Sequence, residues 1–274
     1  MRIDKLLVEE GYYESREKAQ QAISAGEVEV EGKICLKSAS QISSKARINI
    51  RNDRLPYVGR GGLKLEAAIK QFGLNLSHKT CADIGASTGG FTDCMLQNGA
   101  SKVFAIDVGY GQLAWKLRND ERVVNIEKTN VRYFDPAGIE AVDFISIDVS
   151  FISLGLILPV ASRMLKDEGE LVCLIKPQFE AERSDVGKNG IVRDEKVHEK
   201  VIEKVINFSE EFGLLPQAIT NSPIFGAKGN AEFLVYFKKS AQSDVLNIRK
   251  RMDELKRSDI IKSVIKRTQI INLS

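Results

Sequence analysis

The fold of this chain is decided by one stretch, Thr80-Cys-Ala-Asp-Ile-Gly-Ala-Ser-Thr-Gly-Gly-Phe91. Its first five residues are a candidate for a buried strand. The glycines that follow, Gly85, Gly89 and Gly90, allow the backbone to approach a ligand closely. In open α/β sheets, ligands bind outside the carboxyl ends of the strands. The stretch therefore predicts both the type of fold and the position of a ligand site.

Strand candidates recur along the rest of the chain, with helical segments between most of them. After Thr80–Ile84 they are Lys102–Asp107, Val123–Glu127, Phe144–Val149 and Leu171–Lys176. This alternation predicts a parallel sheet covered on both faces. The last two strand candidates, Gln217–Thr220 and Phe233–Lys238, are separated by a stretch that contains glycine and proline. They predict an antiparallel edge of the sheet. The expected fold class is α/β, a Rossmann-like sheet that is mostly parallel with one antiparallel strand.

The first 60 residues predict a small separate α+β domain. A first helix is followed by a second that Ser15 caps and Gly26 ends, and then by a hairpin that turns at Glu31-Gly32. The segment 51–62 is rich in glycine and charge and contains a proline, which is typical of a domain boundary. We therefore expect domains at 1–60 and 61–240, followed by a basic helical tail at 241–274.

Charge is distributed unevenly along the chain. The net charge of +3 is made up of +2 in residues 1–60, −5 in 61–237 and +6 in 238–274. An acidic body between basic ends suits a nucleic-acid partner held by the periphery. A solvated helical tail explains the surplus of the C-terminal segment equally well. The apolar residues of this tail lie near helical spacing, among them Val245, Ile248, Met252, Leu255 and Ile260. The tail could therefore pack on the body, pair with a second copy or contact RNA.

Membrane and metal-binding classes are disfavoured by the composition. The longest apolar stretch, 151–161, contains Ser153, Gly155 and Pro159 and is too short to span a bilayer. No basic-then-apolar leader opens the chain, so we expect a cytoplasmic protein without a membrane partner. The four cysteines form no CxxC pair and the two histidines are isolated, so we expect no metal site.

Four ionisable residues fall where such a sheet would bring them to one edge: Lys64, Asp148, Lys176 and Glu232. Asp148 and Lys176 lie at the ends of two predicted strands, and Glu232 precedes the last one. If that last strand is antiparallel, its start lies at the same edge as the ends of the others. Each residue alone could be a helix cap or a snorkelling surface charge. Together, two lysines and two carboxylates beside a nucleotide site can activate a ribose hydroxyl.

The glycine-rich loop resembles the Asp-x-Gly-x-x-x-Gly loop of S-adenosylmethionine-dependent methyltransferases. Asp107 ends the second strand, 24 residues after Asp83, where it can receive ribose hydroxyls. Asn130 is a candidate for contact with adenine, or it holds its own turn. The resemblance implies S-adenosyl-L-methionine as cofactor and the following contact residues: Asp83, Gly85, Ser87, Gly89, Gly90, Phe91, Asp107, Asn130 and Asp148.

The N-terminal pattern resembles the ribosomal S4-type RNA-binding domain. The matching motifs are Arg2-Ile-Asp-Lys-Leu-Leu7, Ser15-Arg-Glu-Lys-Ala19 and Gly26-Glu-Val-Glu-Val-Glu-Gly-Lys33. The resemblance implies phosphate contacts from Arg2, Lys5, Arg16 and Lys18, although the glutamates of the hairpin oppose RNA. In the second domain, Arg60 and a long irregular segment, 177–195, add candidates. We expect that segment to be a mobile loop on the substrate side, with Arg183, Lys188 and Arg193 available to RNA.

The order Lys, Asp, Lys, Glu resembles the tetrad of FtsJ-type ribose 2′-O-methyltransferases. With the S4-type front end, the chain resembles the TlyA family over about residues 1–240, through Gly59-Arg-Gly-Gly-Leu-Lys64, Asp83-Ile-Gly-Ala-Ser-Thr-Gly-Gly-Phe91 and Ile175-Lys-Pro-Gln-Phe-Glu180. The resemblance implies methylation of ribosomal RNA at a ribose 2′-hydroxyl of cytidine, in 16S rRNA, 23S rRNA or both, on ribosomal subunits. Two alternatives remain: a non-catalytic RNA-binding or ribosome-assembly factor, and the pore-forming haemolysin of the family's older name.

The chemical roles of the four residues are open at the sequence level. Lys176 is either the base that shares the proton of the hydroxyl or a cation that stabilises the developing alkoxide, with Asp148 steering it. Lys64 would position the hydroxyl or a phosphate, and Glu232 would orient the lysines. Neither the modified nucleotide, nor the subunit, nor the oligomeric state follows from the sequence.

Overall fold

The computed structural model describes residues 1–13, 15–43, 45–50, 56–240 and 260–266. The chain divides into two compact units, Met1–Pro56 and Tyr57–Ser274. The boundary expected after residue 60 and the separate tail stay predictions. Most of the tail lies outside the described residues, including Val245, Ile248, Met252 and Leu255.

The first unit is a pair of helices against a small sheet. Helices α1 (Ile3–Glu9) and α2 (Arg16–Ala25) precede strands β1 (Val28–Val30), β2 (Lys33–Ile34) and β3 (Ile48–Ile50), which form an antiparallel sheet in the order β2-β1-β3. Ser15 caps α2 by accepting from the Lys18 amide at 3.2 Å, and Gly26 ends it with φ of +78°. The core consists of apolar residues from both helices and β1. The predicted helix, helix and hairpin are confirmed.

The second unit is a seven-stranded sheet with helices on both faces. Its strands are β4 (Thr80–Ile84), β5 (Lys102–Ile106), β6 (Val123–Ile126), β7 (Val142–Ile147), β8 (Leu165–Ile175), β9 (Leu214–Asn221) and β10 (Phe233–Lys239). Its helices are α3 (Gly61–Phe72), α4 (Gly90–Gln97), α5 (Trp115–Arg118), α6 (Leu158–Met164), α7 (Pro177–Glu180) and α8 (Glu195–Glu210). The strand order is β6-β5-β4-β7-β8-β10-β9.

The sheet has one antiparallel strand, as predicted. Strands β4 to β8 pair in parallel, whereas β10 is antiparallel to both of its neighbours, β8 and the edge strand β9. Phe233, the first residue of β10, pairs with Ile175, the last residue of β8. The start of β10 and the end of β8 therefore meet at one edge of the sheet. Strand β8 begins earlier than predicted. Its first half, Leu165–Glu170, could not be recognised from the sequence because it is mostly charged and lacks an apolar pattern.

Alternate residues of each strand pack into two separate cores. Cys81 and Val103 belong to the core that contains residues of α3 and α4, while Ala82 and Phe104 belong to the core that contains residues of α6 and α8. Residues 260–266 are helical and add Ile261, Val264 and Ile265 to the second core, and Ile260 is half-exposed. This part of the tail therefore packs on the body. None of the helices in the described residues is long and apolar enough to cross a membrane.

Candidate active site

A cleft of about 650 Å³ opens at the edge where β4, β7 and β8 end and β10 begins. We refer to this cavity as the cleft. Its wall includes all four of the predicted ionisable residues, the loop that follows β4, the segments that follow β7 and β8, and the loop that precedes β10. Ligand pockets in proteins commonly have volumes of roughly 300–1,000 Å³, so the cleft has room for a cofactor together with part of a second substrate.

The four ionisable side chains form a chain of ion pairs. Lys64 Nζ lies 2.6 Å from Glu232 Oε2 and 3.6 Å from Asp148 Oδ2. Lys176 Nζ lies 2.5 Å from Asp148 Oδ1 and donates to Ser150 Oγ at 3.0 Å. Asp148 thus joins the two lysines. The side chains of Lys64 and Lys176 are 10% exposed and that of Glu232 is 3% exposed.

One carboxylate oxygen of Asp148 makes no hydrogen bond to the described residues. Its Oδ1 atom is buried and accepts no hydrogen bond from a described residue, although Lys176 Nζ forms an ion pair with it at 2.5 Å. A buried carboxylate oxygen is costly to leave unpaired. The ion pair with Lys176 offsets this cost and fixes the carboxylate at the wall of the cleft.

The glycine loop packs closely against the neighbouring backbone at the cleft. Gly85 has φ of +86°, and a Cβ there would lie 2.4 Å from the carbonyl oxygen of Asp148. At Gly90, which begins α4, a Cβ would lie 2.9 Å from the backbone nitrogen of Gly62. Asp107 accepts from the amides of Ser87 at 2.8 Å and Gly109 at 2.7 Å, so it ties this loop to the end of β5.

The predicted cofactor residues fall into two groups. Those that line the cleft are Gly85, Ser87, Gly90, Phe91 and Asp148. The others lie behind or beside it. Gly89 packs on Leu117, Asp107 holds the loop, and the Asn130 side chain accepts from the Arg132 amide at 3.1 Å and so holds its own turn.

Asp83 requires a correction. Its carboxylate is completely buried and accepts from Thr92 Oγ1 at 2.7 Å and from Ser146 Oγ at 3.1 Å. Burial raises its pKa to about 7 despite these hydrogen bonds. Its side chain cannot contact a ligand. It holds the start of the glycine loop against α4 and β7.

A set of residues that was not predicted from the sequence joins the segments after β7 and β8. Glu180 accepts from Ser153 Oγ and from the Leu154 amide, both at 2.6 Å, and burial raises its pKa. The rings of Phe151 and Phe179 lie 4.9 Å apart at the cleft, and Phe151 is 90% exposed with φ of +64°. From the sequence alone, Phe151 would be assigned to the core, and only the fold shows that it is exposed.

The predicted RNA-binding residues are distributed over both units. In the first unit, Arg2 and Arg16 each lie 2.9 Å from the buried carboxylate of Asp4, whose pKa these guanidinium groups lower. Lys5 pairs with Glu9 at 3.4 Å, and Lys18 is exposed. In the second unit, Arg60 is exposed and lines the cleft.

The segment 177–195 contains more regular secondary structure than the irregular loop that the sequence predicted. It contains α7 and two single 3₁₀ turns, on which Arg183 and Lys188 lie exposed, and Arg193 is exposed between the second turn and α8. Its mobility stays a prediction. Within the part of the chain that the structure describes, no group of His, Cys, Asp or Glu side chains is arranged to hold a metal ion.

Two family models match this chain. The model of the FtsJ-like methyltransferases matches residues 57–239, and the model of the S4 domain matches residues 1–48. The first match contains the whole cleft, and the second contains the helices and hairpin of the first unit.

Individual relatives agree with these matches. The chain is 51% identical over 237 residues to YqxC of Bacillus subtilis, a candidate rRNA methyltransferase, with 86% of this chain and 84% of that protein covered. It is 38% identical over 239 residues to the 16S/23S rRNA (cytidine-2′-O)-methyltransferase TlyA of Mycobacterium tuberculosis, with 86% and 89% covered. A solved structure of a candidate hemolysin from Streptococcus thermophilus is similar with a TM-score of 0.75 at 40% identity, over 100% of this chain and 98% of that one.

Proposed function

This chain belongs to the FtsJ-like methyltransferases and carries an S4 domain, and from that membership we propose that it methylates a ribose 2′-hydroxyl in ribosomal RNA. The family resemblance expected from the sequence is confirmed, and S-adenosylmethionine is its methyl donor. The TlyA relative is named for methylation of cytidine in 16S and 23S rRNA. We extend that substrate to this chain, with ribosomal subunits as partners and the cytoplasm as location.

The observation that carries the proposal is the buried chain of ion pairs at the cleft. It adjoins the glycine loop that fits the cofactor, whose sulfonium supplies an electrophilic methyl group when bound. The residues of the cleft have to place the 2′-oxygen in line with that methyl group, and positioning alone supplies much of the rate of such a transfer. In the transfer the 2′-oxygen bonds to the methyl carbon, the carbon–sulfur bond breaks, and the hydroxyl loses its proton.

Asp148 is the residue that we assign to accept this proton. Its carboxylate lies at the wall of the cleft, with Oδ1 beside Lys176 and Oδ2 beside Lys64, and the assignment requires the hydroxyl to reach one of these oxygens. The hydroxyl becomes strongly acidic as the new carbon–oxygen bond forms, so a carboxylate is basic enough. Lys176, which lies 2.5 Å from the same oxygen, stabilises negative charge that develops on the 2′-oxygen.

Lys64 and Glu232 then act as positioning residues. The 2.6 Å contact between them holds the Lys64 ammonium beside Asp148 Oδ2. This contact fixes the orientation of the Asp148 carboxylate from the side opposite Lys176. With Asp148 as the base, neither lysine takes the proton, and this was an outcome that the sequence left open.

Phe151 supports RNA as the substrate. Enzymes that modify a nucleotide inside folded RNA turn it out of its stack and hold its base against aromatic side chains. Phe151 projects into the cleft with 90% of its surface exposed. We propose that it stacks on the base of the target nucleotide.

The test is methyl transfer from labelled S-adenosylmethionine to ribosomal subunits taken from cells that lack this protein. The K176A and D148N variants should lose transfer by at least about 10²-fold, and K176A should still bind the cofactor as the wild type does. The K70A variant, which removes an exposed lysine of α3, is the matched control and should keep full activity. Full turnover by D148N would refute the role of Asp148. Cofactor binding without transfer by the wild type would favour the non-catalytic alternative.

A further inference from the structure

A second cavity, of about 240 Å³, lies directly beside the cleft in the same unit. We refer to it as the side cavity. Phe225 and Lys228 belong to the walls of both cavities. The remaining wall of the side cavity comes from the segment that precedes α8, from the first turns of α8, from Gly229 and Ala231 before β10, and from Ile265 of the C-terminal helical residues. The volume corresponds to about eight water molecules, which is enough for one sugar–phosphate group or one base.

The two loops that form the side cavity are fixed to each other. Asn230 is 2% exposed, donates to the Gly190 carbonyl at 2.9 Å and accepts from the Val192 amide at 3.1 Å. Lys228 Nζ donates to the Asn189 carbonyl at 2.9 Å. Both Lys228 and Asn189 have left-handed backbone conformations, with φ of +59° and +67°. Such conformations in non-glycine residues persist where the surroundings hold them, so the cavity is formed before a ligand binds.

The chemistry of the wall suits a nucleotide. Arg193 and Lys228 supply two cations, and Arg193 makes no ion pair with any residue that the structure describes. Phe225 is 41% exposed and offers an aromatic face. Glu195 supplies a carboxylate that can accept from a ribose hydroxyl or from an exocyclic amine. Burial lowers the pKa of His198, so its ring adds no charge.

We propose that the side cavity binds the nucleotide that flanks the methylated one in the substrate RNA. This inference rests on the proposed function. Neighbouring nucleotides of one strand are joined by a single phosphate, so a strand that places its target in the cleft must place an adjacent nucleotide beside it. Arg193 and Lys228 bind the phosphate, and Phe225 contacts the base or sugar where the two cavities meet. Sequence-tolerant binding of single strands combines cations with aromatic faces in this way.

The experiment compares wild type, the double variant R193A/K228A and the control K196A in two assays. Lys196 is an exposed lysine near the start of α8 that lines neither cavity. The first assay measures methyl transfer to ribosomal subunits over a range of subunit concentration and salt. The double variant should raise KM by about tenfold and leave kcat within about twofold. It should also lower the slope of log affinity against log salt by about two, one for each cation removed from the phosphate backbone. The K196A variant should change neither quantity.

The second assay measures binding of ribosomal RNA without cofactor, and binding of free cytidine monophosphate. Equal RNA affinity and equal salt slopes for the double variant and K196A would overturn the proposal. Loss of cytidine monophosphate binding with unchanged RNA binding would assign the side cavity to a free nucleotide and would also overturn it. Failure of the wild type to methylate any subunit would instead refute the proposed function, and the RNA-binding assay would still decide the role of the cavity.

Discussion

Replacement of Glu232 by glutamine should destabilise the fold as well as impair catalysis. The substitution keeps the shape of the side chain and removes the charge that faces Lys64 at 2.6 Å. Both side chains are buried, at 10% and 3% exposure, so the Lys64 ammonium would be left without its main partner. Loss of one member of a buried ion pair costs about 3–5 kcal/mol in free energy of unfolding. Asp148 Oδ2 remains 3.6 Å away, so we expect the lower end, about 3 kcal/mol.

The assay is urea unfolding followed by circular dichroism, with K64M, E232Q and the double variant K64M/E232Q. The double variant should lose less free energy of unfolding than the two single variants lose together, because it leaves no buried charge without a partner. The variant K70A, which breaks an exposed pair with Glu66, should change little, since surface pairs contribute about 0–1 kcal/mol. An E232Q loss below about 0.5 kcal/mol would show that the pair behaves like a surface pair and would refute the reasoning.

Three other positions give predictions of their own. The G85A variant should lose cofactor binding, measured by calorimetry, because its Cβ would lie 2.4 Å from the Asp148 carbonyl oxygen; binding at wild-type affinity would contradict the close packing of the loop. The E180A variant should raise KM for RNA and lower kcat, because it loosens residues 150–154. The E180Q variant should stay near wild type, since its amide can accept from Leu154 and donate to Ser153. Equal kinetics for E180A and E180Q would exclude a positioning role for Glu180. Because the pKa of Asp83 is raised to about 7 in the folded state, its contribution to stability is present at low pH and is lost as pH rises from about 4 to about 7. In urea unfolding, the free energy of unfolding of the D83N variant should lack this fall with pH. Parallel pH profiles for D83N and the wild type would count against a raised pKa of Asp83.

The regular part of the fold could be predicted from the sequence because it depends on local patterns. The strand β4, its glycine loop and the single antiparallel strand follow from runs of apolar residues and from turn residues, which act over a few positions. Ser15 and Gly26 likewise mark the ends of α2 by short-range hydrogen bonding and backbone conformation. The meeting of Lys64, Asp148, Lys176 and Glu232 was predicted from the rule that ligand sites lie at the strand ends.

Only the tertiary structure decided what each of these side chains touches. The contact of Lys64 with Glu232 joins residues 168 positions apart, and it depends on the register of β10 against β8. The same holds for the ion pair of Asp148 with Lys176, for the complete burial of Asp83, and for the side cavity, where Arg193 and Phe225 come from different loops. Local sequence patterns specify the elements and their order, because propensity and periodicity act between near neighbours. Strand order and register set distances between remote residues, and those are properties of the packed sheet as a whole.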